Sequence, residues 1–186
     1  MHYFDEEDME RFMRASNAIE GEFDKIFFDL PSPNNATVAK IRVGALHPND
    51  VDAAMRFVHN PFTAESLSEL HVKLFEGHAA AGHELDIRHP GDYRHTGEDL
   101  SSPRGCALGS MVKHLMGNYI LDFDKFSPWE SHWKFEKIHP FEDLNGRTGR
   151  LIWLHKMLND DNQADYFVSI GFLQTFYYQT LSNLKK

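Results

Sequence analysis

The sequence predicts an all-α fold, a helical bundle carrying one short β-hairpin, and three observations carry that expectation. Apolar residues recur at helical spacing in several separate segments, capping residues stand in front of some of them, and glycine or proline punctuates their ends. With 186 residues, 41% of them hydrophobic and 15 of them Phe, the chain falls in the single-domain range. It should bury roughly 70% of its unfolded surface, so one domain over 1–186 is expected.

In chain order, a first helix is expected over about 5–21. Met9, Phe12, Met13, Ser16, Ile19 and Glu20 share a side, Asp5 to Asp8 stand near its positive end, and Gly21 stops it. Residues 23–47 read as irregular, with Pro31-Ser32-Pro33-Asn34-Asn35 the plainest loop. Val51, Ala54, Met55 and Val58 predict a helix over 49–59. Thr63 caps another, through Leu67, Leu70, Leu74 and Phe75, that ends at Gly77 or Gly82. From Leu85 to Arg104 the helical period disappears among Pro90-Gly91, Gly97 and Ser101-Ser102-Pro103, which predicts a hairpin or extended loop. A core helix follows over Cys106–Ile120. After an Asp122-Phe123-Asp124 turn, Ser127-Pro128-Trp129-Glu130 combines capping chemistry with proline at the first helical position. Trp129 and Trp133 are expected to pack, and Gly171 to Leu184 read as a last aromatic-rich helix.

Composition excludes several functions. A formal net charge of −9 opposes a general nucleic-acid surface. No apolar run approaches the roughly 20 residues of a membrane span, and the acidic start lacks the basic and apolar blocks of a secretory signal, so a cytoplasmic protein is expected. The only cysteine, Cys106, excludes an internal disulfide and is expected to be a small buried thiol. Among the twelve histidines, His78 and His83 flank a small-residue run. Their spacing of five puts them on different faces of a helix, and no His-Glu-x-x-His or paired-cysteine motif exists, so spacing does not predict zinc. His59 and His71 are expected to be core residues without chemistry.

The chemistry concentrates in His139-Pro140-Phe141-Glu142-Asp143-Leu144-Asn145-Gly146-Arg147-Thr148-Gly149-Arg150. Pro140 disfavours helix at His139, which leaves an imidazole at a helix exit. Asn145-Gly146 is a turn pair, and a new helix over about 147–158 begins with amides that attract anions. Arg147 and Arg150, three apart, can grip phosphate or carboxylate from one face. Asp143 is a hard oxygen ligand of the kind Mg²⁺ takes beside phosphates.

This stretch resembles the signature loop of the Fic family, His-Pro-Phe-x-(Asp/Glu)-Gly-Asn-Gly-Arg-x-x-Arg, and departs from it at Leu144, where the family usually has glycine. Ser16-Asn17-Ala18-Ile19-Glu20-Gly21 resembles the same family's inhibitory motif, (Ser/Thr)-x-x-x-Glu-(Gly/Asn), matching at Ser16, Glu20 and Gly21. Its position ahead of the signature implies the N-terminally self-inhibited subclass, in which Glu20 would pair with Arg150 and exclude a γ-phosphate. Gly91-Asp92-Tyr93-Arg94 resembles the family's flap, expected over about 86–104, which pairs with a strand of the target protein.

The resemblance implies a protein adenylyltransferase that moves AMP from ATP, with Mg²⁺, to a Ser, Thr or Tyr hydroxyl of a target protein. His139 would be the general base and Asp143 the metal ligand. Asn145 and Gly146 would receive the α-phosphate, and Arg147 and Arg150 would steady the β and γ groups. Two alternatives stand beside it: removal of AMP by a Glu20-oriented water, and a binding module silenced by Leu144. At Leu144 either the loop adopts a conformation ordinary for L-residues and works, or the anion nest is misshapen; the sequence reading prefers the first. No nucleic-acid or membrane partner is expected, and homo-oligomerisation is left open.

Overall fold

The computed structural model describes residues 4–25, 42–95 and 105–160. The loop at Pro31–Asn35, the second half of the expected hairpin (96–104) and the helix expected over Gly171–Leu184 lie outside them. The described chain runs α1 (Glu6–Ile19), β1 (Phe23–Lys25), β2 (Arg42–Gly44), α2 (Asp50–His59), α3 (Ala64–Ala80), α4 (Gly109–Leu121), a 3-10 turn at Phe123–Lys125, α5 (Pro128–Ile138) and α6 (Asn145–Asn159). The fold is all-α.

Local chemistry accounts for the helix ends. Asp5 and Asp8 form a reciprocal capping box at the start of α1, and Thr63 and Ser66 form another at α3. Ser127 Oγ accepts from the Glu130 amide, with Pro128 in the first turn of α5. α3 runs past Gly77 to Ala80, then turns at Gly82, whose φ of +83° an L-residue rarely adopts.

α6 is the central element, packing most heavily on α5 and also on α2 and α1. Leu151, Ile152, Trp153, Leu154 and Met157 on α6 are buried against Phe12 and Met13 of α1, Phe57 of α2, and Phe135 of α5. Trp129 lies 4.8 Å from Trp153, a packing contact as the sequence suggests. Among the described residues no helix is long and apolar enough to cross a membrane.

Two expectations are corrected. Residues 23–47 are not wholly irregular: β1 and β2 pair antiparallel, Phe23 opposite Gly44 and Lys25 opposite Arg42. Three-residue strands are too short to show alternation. The described part of the stretch expected to be a hairpin or extended loop, 85–95, contains turns and no strand, and the Arg94 amide donates to the Pro140 carbonyl at 2.8 Å. Cys106 is half-buried rather than fully buried; burial raises its thiol pKa, and its Sγ lies 3.5 Å from the Glu136 carbonyl.

Candidate active site

α5 delivers His139. The residue caps the helix in left-handed conformation (φ 51°, ψ 63°), which histidine tolerates better than most residues, and its amide donates to the Phe135 carbonyl at 2.8 Å. The exit is locked by Arg94, which is 2% exposed. Its Nε donates to the His139 carbonyl at 2.6 Å, and Nη2 donates to Ala107 O at 2.9 Å and Ile138 O at 3.2 Å. A guanidinium so placed satisfies the last carbonyls of a helix and complements their partial negative charge. Arg94, expected on a target-binding flap, is therefore a buried staple beneath the candidate base.

On its other side the His139 Nδ1 stands 3.8 Å from Glu136 Oε2, a charge contact too long for a hydrogen bond. Burial opposes ionisation of Glu136, but His139, His132 and Arg150 together outweigh it and lower its pKa. Its Oε1 lies close over Gly149, where an added Cβ would stand only 2.6 Å away, so α5 and α6 meet at van der Waals limit.

The loop from Phe141 to Asn145 is tied by its own residues. Asn145 Oδ1 accepts from the Phe141 amide, and its Nδ2 donates to the Phe141 carbonyl, both at 2.9 Å. The Asn145 side chain is thus spent on the loop, leaving its backbone for an anion. Phe141 is buried and stacks on His71, with ring centroids 3.9 Å apart. Tyr93, its pKa pushed up to about 12 chiefly by burial, flanks Phe141 at 5.7 Å.

His71, expected to be core without chemistry, joins three segments. Its Nε2 lies 3.2 Å from the Asp143 carbonyl, and its Nδ1 accepts from the Gly91 amide at 2.9 Å. Those bonds fix one neutral tautomer, and burial lowers its pKa to about 4. The folded value lies below the unfolded value near 6.5, so between the two the unfolded chain binds the proton and the folded chain does not. The stabilisation is therefore complete above pH 6.5 and lost as pH falls toward 4, by about 3 kcal/mol. Denaturant titrations at pH 7 and pH 4.5 should show this loss. In His71→Phe, which keeps the stacked ring but cannot titrate, stability should start lower and fall less.

Leu144 adopts φ 58°, ψ 12° and is 2% exposed. The expectation of an ordinary L-residue geometry is corrected: the loop keeps a glycine-like left-handed turn. The strain of about 1–2 kcal/mol is offset by burying a leucine side chain, worth about 1.5–3 kcal/mol. Leu144→Gly should accordingly lower stability by about 1–3 kcal/mol while changing ATP affinity less than about threefold, since the backbone is already turned. Calorimetric titration with ATP beside a denaturation curve checks both halves.

Asp143 is partly exposed; its Oδ1 accepts from the Leu144 amide at 2.7 Å. A single partly exposed carboxylate next to the start of α6 fits the way Mg²⁺ is held, by one or two carboxylates together with substrate oxygens. α6 begins immediately afterwards with no side chain capping its first amides. Free amides and the helix dipole at such an end favour an anion.

Both arginines of α6 are occupied by α1 and the segment after it. Arg150, 1% exposed, donates from Nε to Ser16 Oγ at 2.8 Å and from Nη2 to Glu20 Oε1 at 2.7 Å and Ser16 O at 3.2 Å. Glu20 Oε1 also lies where a Gly146 Cβ would stand only 2.7 Å from it, so the carboxylate sits against the uncapped start of α6. Arg147 donates from Nε to Asn17 Oδ1 at 3.2 Å and from Nη2 to Glu22 Oε1. Burial opposes ionisation of Glu22, but the facing His47 and His78 rings and Arg147 outweigh it and hold its carboxyl far below the usual range. Gly21 turns the chain between these two glutamates at φ +82°.

The structure thus brings Ser16, Glu20, Gly146 and Arg150 together, and places His139 and Asp143 in the loop that leads to them. Gly91 and Arg94 are buried, while Asp92 is exposed. A groove of about 910 Å³ lies between the starts of α3 and α4 and residues 91–95, and its lining does not include His139, Arg147 or Arg150. Sequence reasoning missed Asn17, Glu22 and the linking roles of His71 and Arg94. Only Asn17 carried a signal, lying inside a motif that already faces α6.

A helical domain in which a histidine ends one helix and an uncapped, arginine-bearing helix begins a few residues later is a recognisable class. Residues 61–156 match the Fic/DOC family model, and the chain belongs to the Fic family. α1 with Glu20 lies outside the matched segment. A Fic family protein from Desulfovibrio desulfuricans G20 superposes with a TM-score of 0.61 at 22% identity, over 96% of this chain and 57% of that one. Fic-1 (aa134 - 508) from C. elegans superposes at 0.53 and 18% identity, over 100% of this chain and 60% of that one. These likenesses show the fold, and the chain spans less than two thirds of either structure. No match was found among curated proteins. Proteins with this domain are generally enzymes of the transferase type.

Proposed function

We propose that the domain is a protein adenylyltransferase of the N-terminally self-inhibited kind. The substrate hydroxyl, from a Ser, Thr or Tyr of another protein, attacks the α-phosphorus of ATP. An oxygen–phosphorus bond forms, the bond from the α-phosphorus to the bridging oxygen breaks, pyrophosphate leaves, and the hydroxyl proton passes to the His139 imidazole. The uncapped amides of α6 receive charge on the α-phosphate, while Arg147 and Arg150 steady the rest of the triphosphate. Mg²⁺ held by Asp143 would neutralise phosphate charge. Of the residues that border the open groove, the exposed Asp92 and His95 would face the target.

The observation that carries this reading is the Glu20 carboxylate lying on Arg150 and against Gly146. A carboxylate and a γ-phosphate are rival partners for one guanidinium, so a resting domain that places an acid there fits restraint of a triphosphate enzyme. The test is mass spectrometry of lysate proteins after incubation with Glu20→Gly and mixed nucleoside triphosphates. An added mass of AMP on a hydroxyl residue supports the reading. A folded variant that labels nothing refutes it, and AMP release from a labelled target, abolished by Glu20→Gly, would assign removal instead.

A further inference from the structure

A second cluster of metal-ligating side chains lies behind Arg147, away from Asp143. Glu22 Oε1 takes Arg147, while its Oε2 stands 2.8 Å from His47 Nε2 and 3.4 Å from His78 Nε2. His83 completes the group. One ligand atom each from Glu22, His47 and His83 lie within 4.8 Å of one another. The rings are packed together, with centroids 3.9 Å apart for His47 and His78 and 4.9 Å for His47 and His83.

The spacing of five between His78 and His83 argued against a shared ligand only while both were on one helix. α3 ends at Ala80, the left-handed turn at Gly82 reverses the chain, and the His83 amide donates to the His78 carbonyl at 3.1 Å. The turn brings the second imidazole back over the first.

His78 packs beside this group: its ring is fully buried, Nδ1 donates to the Leu74 carbonyl at 2.7 Å, and Nε2 faces the Glu22 carboxylate across 3.4 Å. Buried Asp50 accepts from the His47 amide and from Asn17 Nδ2, which fixes the backbone that carries the His47 ring.

We propose that Glu22, His47 and His83 form a binding site for a borderline-soft divalent transition metal such as Zn²⁺, separate from Asp143, with a fourth position left for water. Two imidazoles and one carboxylate are a donor set that Zn²⁺ takes and that Mg²⁺, which prefers oxygen alone, does not.

The test is equilibrium dialysis of the chelator-treated full chain against Zn²⁺ without nucleotide, with Co²⁺ as a visible-absorption probe. One ion per chain and a tetrahedral Co²⁺ spectrum are expected. Binding should weaken at least about tenfold in His83→Ala, whose exposed position leaves the fold undisturbed, and in His47→Gln. The exposed control His114→Ala and the variant Asp143→Ala should bind as wild type. No retained ion, or affinity unchanged by both His83→Ala and His47→Gln, overturns the site. Because the readout involves no ATP, failure of the transferase reading leaves it standing, and its own failure leaves that reading untouched.

Discussion

On the proposed transferase reading, His139→Ala is expected to lower the rate of AMP transfer by about 10²–10⁴-fold, the usual contribution of a positioned general base, with ATP affinity within about threefold of wild type. The division follows from placement. His139 reaches the reaction from the end of α5, while the groups expected to hold the triphosphate belong to the start of α6. Alanine at a left-handed position also costs about 1–2 kcal/mol of stability, so His139→Asn is the discriminating companion. Asparagine tolerates that conformation but cannot take the proton. Equal loss of activity in both variants marks the imidazole as the reacting group, whereas recovery in His139→Asn would show that only the backbone turn mattered. Initial rates against ATP concentration, with the Glu20→Gly background used to raise the signal, separate the two.

Glu20→Gly raises labelling at least about tenfold and lowers stability in the absence of nucleotide. A hydrogen bond to a charged partner contributes about 1.5–3 kcal/mol, equivalent to roughly 10- to 150-fold in binding. Glu20 is 36% exposed, so the lower half of that range applies. The variant takes from buried Arg150 the Glu20 carboxylate, the partner that stands where a terminal phosphate would bind. ATP with Mg²⁺ should therefore raise its melting temperature more than that of wild type. Glu20→Gln, which keeps a carbonyl acceptor but loses the charge, should fall between the two in both measurements.

What could be read from the sequence was what local chemistry determines. Caps at Thr63 and Ser127, the stop at Gly82 and the helix exit before Pro140 each depend on a few neighbouring residues, and all appear where expected. The pairing of Glu20 with Arg150, 130 residues apart, was suggested only by a resemblance between motifs, since no local rule reaches that distance. Glu22 lay one residue beyond the motif, and its contact with Arg147 arises from the turn at Gly21 and the pairing of β1 with β2. Arg94 looked like surface because arginine in a glycine-rich loop usually is; its burial follows from the unsatisfied carbonyls at the end of α5, a demand invisible before α5 and the loop meet. Leu144 was judged by backbone preference alone, whereas burial of its side chain decides the conformation. His78 and His83 were separated by a helix rule applied past the end of the helix.

If the Glu20 carboxylate and the terminal phosphate of ATP compete for Arg150, removal of one must favour the other selectively. Titration calorimetry of wild type and Glu20→Gly with ATP and with ADP, each with Mg²⁺, measures this without any target protein. The expected result is a gain of about tenfold or more for ATP and less than about threefold for ADP. Equal gains for both nucleotides, or none for ATP in a folded variant, would contradict the competition on which the restrained-transferase account rests.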